Sequence, residues 1–229
     1  MVEGLARWHA SSSVDLVERG PKFRNPCDMV TFMKVGPPAI LPILRSDTVG
    51  ELLARLLLHP ERGYTLTELS TDLGVSLPTI GREIDRMLTA GLLVQERVGR
   101  ARRVSANGAS ALFQPLSEII ALTFGPRPVL EELLAGVDRV DGAMIYGSWA
   151  ARYLGEAGAE PNDVDVLVIG SPDPDVLFDV AESARHRLKR DVTIRAVSSK
   201  TWHQDDPQAP FLRHVKSRPI VELCLGGQS

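Results

Sequence analysis

The sequence predicts an α/β chain overall, of α+β type, built as two units: a mainly helical unit with a short hairpin, then a mixed sheet with flanking helices. Three observations predict it. Apolar residues recur at three- and four-residue steps through residues 48–90, the period of helices with one buried face. Apolar runs of strand length at 143–146 and 163–169 flank a turn and a helix in the second half, an alternation that builds a sheet with helices laid on it. At 229 residues the chain has length enough for two cores of ordinary domain size. With 44% apolar and 24% charged residues it belongs among folded globular proteins rather than disordered ones. No run approaches the roughly 18 apolar residues of a membrane span. The start also lacks a basic segment followed by an apolar one, so a cytoplasmic location and no membrane partner are expected. Cys27 and Cys224 form no CxxC pair and have no histidines beside them at ligand spacing, which reads as two unpaired thiols.

Taken in order, residues 1–40 show no sustained period and carry Ser11-Ser12-Ser13, Gly20-Pro21 and Gly36-Pro37-Pro38. They read as an irregular extension or an arm onto a partner subunit. Residues 41–107 form the first unit. From Thr48, Val49, Leu52, Leu53, Leu56 and Leu57 mark a helix that His59-Pro60 ends. Thr65 with Glu68 three residues on is a capping box, opening a short helix through Leu69 and Leu73 that Gly74 closes. Val75-Ser76 turns the chain into a third helix over 77–90, with Ile80, Ile84, Met87 and Leu88 inward, Thr79, Arg82, Glu83 and Arg86 outward, and Gly91 as its C-terminal stop. Two short strands, 92–96 and 103–106, follow, joined by the tip Gly99-Arg100-Ala101-Arg102.

Short helix, glycine turn, longer helix and basic hairpin is the layout of a winged helix-turn-helix. In that layout the third helix enters the major groove and the hairpin reaches phosphates or the minor groove. The stretch beginning at Leu66, LTELSTDLGVSLPTIGREIDRMLTAGLLVQERVGRARRV, resembles the ArsR-type winged helix. The metal-sensing cysteines of some members have no counterpart here, so metal sensing does not carry over. Overall net charge is −3, which says little about a nucleic-acid partner. Between Arg82 and Arg103, however, six arginines face three acidic residues, a local excess where a duplex would lie. The DNA-facing candidates are Ser76, Thr79, Arg82, Arg86, Arg97, Arg100, Arg102 and Arg103, with double-stranded DNA as partner.

Residues 108–136 read as a helical connector. Over 109–124, Leu112, Phe113, Leu116, Ile119 and Ile120 share a broad face that must be buried. Burial occurs either in a homodimer, as two-fold DNA sites require, or against the chain's own units. A short helix at 129–134 leads into the last unit, residues 137–229.

That unit contains AMIYGSWAARYLGEAGAEPNDVDVLVIG, beginning at Ala143: an apolar strand, the sharp turn Gly147-Ser148, a helix, a glycine-rich loop and a second strand from Asp163. Side chains two apart on a strand share a face, so Asp163 and Asp165 project together while Val164, Val166 and Val168 enter the core. The order and spacing resemble the nucleotidyltransferase superfamily typified by DNA polymerase beta, in its minimal prokaryotic form. The later stretch RDVTIRAVSSKTWHQDDPQAPFLRHVKSRPIVEL, beginning at Arg190, is similar to the end of that family. The resemblance implies Mg2+ held by Asp163 and Asp165 with a nucleoside triphosphate as substrate or ligand. It also implies that Gly147 lets the backbone approach the phosphates, with Ser148 and Arg152 assisting. Active members carry a third carboxylate on the strand that runs here through 191–197. Asp191 shares that face and Thr193 aligns with the position; with Asp191 the catalytic set Asp163, Asp165, Asp191 is complete, with Thr193 it is not. His9, His59, His186, His203 and His214 form no ligand spacing.

Two functions follow. One is a transcription regulator, a repressor, whose nucleotidyltransferase-like unit binds a nucleotide or a partner. The other is an active Mg2+-dependent nucleotidyltransferase acting on a protein, RNA or small molecule, as the antitoxin of a toxin–antitoxin pair with a toxin as partner.

Overall fold

The computed structural model of the chain describes residues 46–158, 161–204 and 210–225. The extension expected over residues 1–40 lies outside the described residues, as does Cys27. The described chain is mixed α and β with two sheets.

Helix α1, Asp47–Leu57, starts at Ser46, whose Oγ accepts from the Val49 N–H at 3.4 Å, and buries Leu52, Leu53, Leu56 and Leu57. After the two-residue strand β1, Tyr64–Thr65, helix α2 runs Leu66–Leu73 under its capping box. The Glu68 N–H donates to Thr65 Oγ1 at 3.2 Å and the Thr65 N–H to Glu68 Oε2 at 2.6 Å, satisfying two otherwise orphaned donors. Helix α3, Leu77–Thr89, buries Ile80, Ile84 and Met87, while Leu88 is half-buried.

Strands β2, Leu93–Val98, and β3, Ala101–Ala106, pair antiparallel to the register Val98↔Ala101. The hairpin loop is therefore Gly99-Arg100 alone, shorter than the four-residue tip expected from sequence. Gly99 sits at φ +62°, where glycine lets a two-residue loop match the twist of its strands. Ala101 and Arg102 consequently belong to the strand, not the tip. Strand β1 pairs with the other edge of β3, giving the order β1-β3-β2.

The connector expected over 108–136 divides between two cores. Helix α4, Phe113–Phe124, packs Ile120, Phe113, Leu116 and Phe124 on the first core. Leu112, Ile119 and Leu122 remain 55%, 43% and 57% exposed, so the face read as one stripe is split between core and surface. Helix α5, Pro126–Leu134, gives Val129, Leu130 and Leu134 to the second core.

The second sheet contains β4, Val140–Tyr146, β5, Asp163–Gly170, β6, Asp191–Val197, and β7, Val221–Leu223, in the order β6-β5-β4-β7. Helix α6, Gly147–Tyr153, follows β4, and α7, Pro174–Leu188, links the parallel pair β5 and β6. Helices α8, Ser199–His203, and α9, Pro210–Lys216, precede β7. Val164, Val166 and Val168 face α5 and α7. Met144, Tyr146, Leu167 and Ile169 are covered from the other side by Leu212 and Val215 of α9. Burial on both faces explains why β4 and β5 read as near-continuous apolar runs. Glu131 of α5 is 2% exposed. It accepts from the Cys224 N–H at 2.8 Å and from Arg127 Nε at 3.2 Å, so the buried carboxylate is paired. Cys224 itself takes part in a disulfide, correcting its expected state as a free thiol.

Polar contacts join the two units. Arg190 donates to the carbonyl oxygens of Leu58, at 2.5 Å, and Pro161. His59 Nε2 donates to Leu188 O at 2.9 Å. Asp72 receives Arg55 Nε at 2.7 Å and Lys189 Nζ at 2.5 Å.

Candidate functional site

Two surfaces gather the residues singled out from sequence. On α3, residues 79, 82 and 86 fall on one face because they are three and four apart, opposite buried Ile80 and Ile84. Arg82 and Arg86 are exposed and Thr79 half-buried. Ser76 Oγ lies 2.9 Å from Thr79 Oγ1, which also accepts from Arg82 Nη2 at 3.2 Å. Arg86 pairs with Glu83 at 2.6 Å. In the hairpin Arg97 and Arg100 are exposed. Arg102 acts differently: it donates to Asp85 Oδ1 of α3 at 2.6 Å and to Gln95 Oε1 of β2 at 2.8 Å. It pins the hairpin to the helix. Arg103 approaches Glu96 at 4.0 Å and covers Gly63 on the neighbouring turn.

The second surface is the end of β5 beside the β4–α6 turn. Asp163 is exposed and Asp165 half-buried on one face of β5, with Val164 and Val166 buried behind them. Gly147 turns at φ +76°, and a Cβ there would stand 2.8 Å from Asp165 Oδ2. Only glycine permits both the turn and the approach. Ser148 Oγ donates to Asp163 Oδ1 at 3.4 Å. Burial, then the neighbouring Asp163 carboxylate, push the Asp165 carboxyl above its ordinary pKa, with Arg195 acting in the opposite sense. Burial and Asp165 likewise raise the Tyr146 phenol.

Gly147, Ser148, Asp163 and Asp165 are thus brought together; two other residues expected with them are not. Arg152 donates to the Glu156 carbonyl at 2.7 Å and packs against Gly158, so its guanidinium holds the following loop. Asp191 pairs in register with Asp163, and Thr193 with Asp165. Thr193 therefore stands laterally beside the more buried carboxylate, and Asp191 opens toward a depression it shares with Asn162, Arg185 and Lys189. Among the described residues, no three His, Cys, Asp or Glu side chains converge as a metal-binding group. Asp191 is level with Asp163 on the neighbouring strand, but among the described residues its carboxylate does not complete a three-residue metal-binding group with the pair.

Arg195 was not singled out from sequence. It lies on the same face of β6 as Asp191 and Thr193, packs 5.0 Å over the Phe211 ring, and brings positive charge to Asp165. Alternation along the strand was the signal that could have found it. Among the described residues no helix is long and apolar enough to cross a membrane. No protein-family model, curated protein or solved structure matches the chain.

Proposed function

We propose that the chain is a DNA-binding transcriptional regulator acting as a repressor, its first unit an ArsR-like winged helix-turn-helix and its second a nucleotidyltransferase-like unit that binds a nucleotide or a partner. The observation that carries the reading is the division of α3: Ile80, Ile84 and Met87 are buried, while Arg82 and Arg86 are exposed beside a hairpin carrying Arg97 and Arg100. A helix with that division offers polar side chains to base edges, and the hairpin offers cations to phosphates. Exposed Leu112, Ile119 and Leu122 supply a face for a homodimer on a two-fold site. The test is fluorescence anisotropy on the chain's own upstream DNA across a salt series. Arg82→Ala should weaken specific binding by about 1–3 kcal/mol, and Arg100→Ala should reduce the salt slope by about one phosphate contact. Absence of binding to any upstream segment at physiological salt would overturn the reading.

For the second unit, Asp163 and Asp165 suit one hard cation, since a divalent ion would offset the burial and, after it, the Asp163 repulsion that raise the Asp165 pKa. Mg2+ bound there would neutralise charge on the phosphates of a nucleotide. With Thr193 level with Asp165, the reading favoured is binding without transfer. The alternative, an active nucleotidyltransferase serving as antitoxin to a toxin partner, draws on the tight approach of Gly147 to Asp165. Labelled ATP with Mg2+ separates the two. Transfer to a protein, RNA or small-molecule acceptor that disappears in Asp163→Ala and Asp165→Ala supports the enzyme; saturable binding without transfer supports the sensor.

A further inference from the structure

The turn between α7 and β6 is held by the helical unit at four consecutive residues. The Arg187 carbonyl accepts from Arg55 Nη1 at 3.2 Å, and the Leu188 carbonyl meets His59 Nε2 at 2.9 Å. Lys189 Nζ pairs with Asp72 of α2 at 2.5 Å, and Arg190 Nη2 donates to the Leu58 carbonyl at the end of α1, also at 2.5 Å. Arg190 is buried, and its Nη1 reaches the other way, donating to the Pro161 carbonyl two residues before Asp163. The Asp191 N–H donates to the Asn162 carbonyl at 3.2 Å, and from there β6 runs level with β5, Asp191 beside Asp163. The backbone of the turn is not relaxed. Lys189 lies at φ 52°, ψ 34°, a left-handed conformation that costs any residue with a side chain. The contacts around it on both sides keep it there.

We propose that residues 187–190 couple the Asp163–Asp165 pair to the DNA-reading unit, so that a divalent ion on the pair tightens DNA binding. This coupling rests on the regulator and cation-site readings of the two surfaces and adds the regulation of one by the other. Two sites influence each other only through an element whose arrangement both of them bias. One end of that element is the segment 161–163: Asp163, sharing an ion with Asp165, is restrained, and the Pro161 carbonyl is kept within reach of Arg190. The other end is α1 with α2, since Arg190 caps Leu58 while Lys189 and Arg55 both hold Asp72. Leu69 of α2 shares a core with Ile80 and Ile84 of α3, so holding α2 also holds the helix that carries Arg82 and Arg86. Arg190 bonds both ends at once, and neither can shift without loosening the other. Ion and DNA therefore favour the same arrangement, and linkage makes the effect reciprocal.

Fluorescence anisotropy of the full chain on its own upstream DNA, with and without saturating Mn2+, tests this, while Mn2+ binding is read separately by electron paramagnetic resonance. Mn2+ should tighten the wild-type complex about fivefold or more, and DNA should raise Mn2+ affinity by the same factor. Asp163→Ala, which loses the ion, reports the direct effect of Mn2+ on DNA phosphates, to be subtracted. Arg190→Met and Lys189→Met lie outside both binding surfaces, and in Lys189→Met Asp72 keeps its pairing with Arg55. Each variant should retain its Mn2+ affinity and its ion-free DNA affinity, while the Mn2+ effect on DNA binding shrinks below about twofold. A wild-type chain that binds no DNA, or no Mn2+, brings down the reading of that surface and this proposal with it. If both bind, an unchanged wild-type DNA affinity in Mn2+, or an effect that persists in full in both variants, overturns the coupling alone.

Discussion

At Gly147 two demands meet in one residue: a backbone in the left-handed region and an aspartate oxygen where a side chain would begin. Gly147→Ala should cost about 1–2 kcal/mol of stability and, if the unit binds nucleotide as proposed, abolish Mg2+-dependent ATP binding, read by urea denaturation and calorimetry. Asp165 behaves in the opposite way. Its native carboxyl holds a proton more tightly than the unfolded chain does, so stability falls as pH rises from the ordinary aspartate value through the raised native one and stays lowered above it. Asp165→Asn should therefore raise Tm at pH 7 and, on the proposed reading, weaken Mg2+ binding, and the gain in Tm should vanish once pH drops below about 4. Melting curves at the two pH values check it.

Elements show the same division between local and tertiary causes. The α2 capping box rests on two residues three apart, and Thr65→Ala should cost about 1 kcal/mol by removing it. Arg102 holds the hairpin through Asp85 and Gln95 from a partly exposed position, so Arg102→Ala should cost less than about 1 kcal/mol. Its effect should appear as faster amide exchange along β2 and β3. On α4, Ile119 is exposed between a buried Ile120 and an exposed Leu122. If the homodimer forms through this stripe, Ile119→Glu should yield monomers in analytical ultracentrifugation with the melting temperature of the isolated chain unchanged.

For the whole molecule the junction decides whether two units behave as one. Arg190, 9% exposed, caps carbonyl oxygens at the end of α1 and just before β5, so it links the helical unit to the strand bearing the aspartate pair. Arg190→Met should divide a single calorimetric unfolding transition into two, because the linking hydrogen bonds are lost and buried acceptors are left unpaired. His59 sits in the same junction. Its pKa is lowered to about 4, first by burial and then by Arg190. The native histidine stays neutral where the unfolded one charges, so stability is full above about pH 6.5 and declines as pH falls toward 4. Denaturation should give a stability on the order of 2 kcal/mol lower at pH 5 than at pH 7, with His59→Gln flattening the dependence.

The extent of α1, α2, α3 and β5 was legible in the sequence because it rests on local causes: apolar period, caps, a turn glycine and alternation about Asp163 and Asp165. That Gly147 belongs with that aspartate pair was an expectation of the family resemblance, whereas its close approach to Asp165 is a tertiary fact. Tertiary structure alone decided the rest. The hairpin register set the loop at two residues and moved Arg102 into the strand. The parallel register of β6 put Thr193, not Asp191, beside Asp165. The partition of α4 and α5 between two cores depends on contacts among residues tens of positions apart. Local pattern specifies which side of an element is apolar; only packing specifies what that side meets.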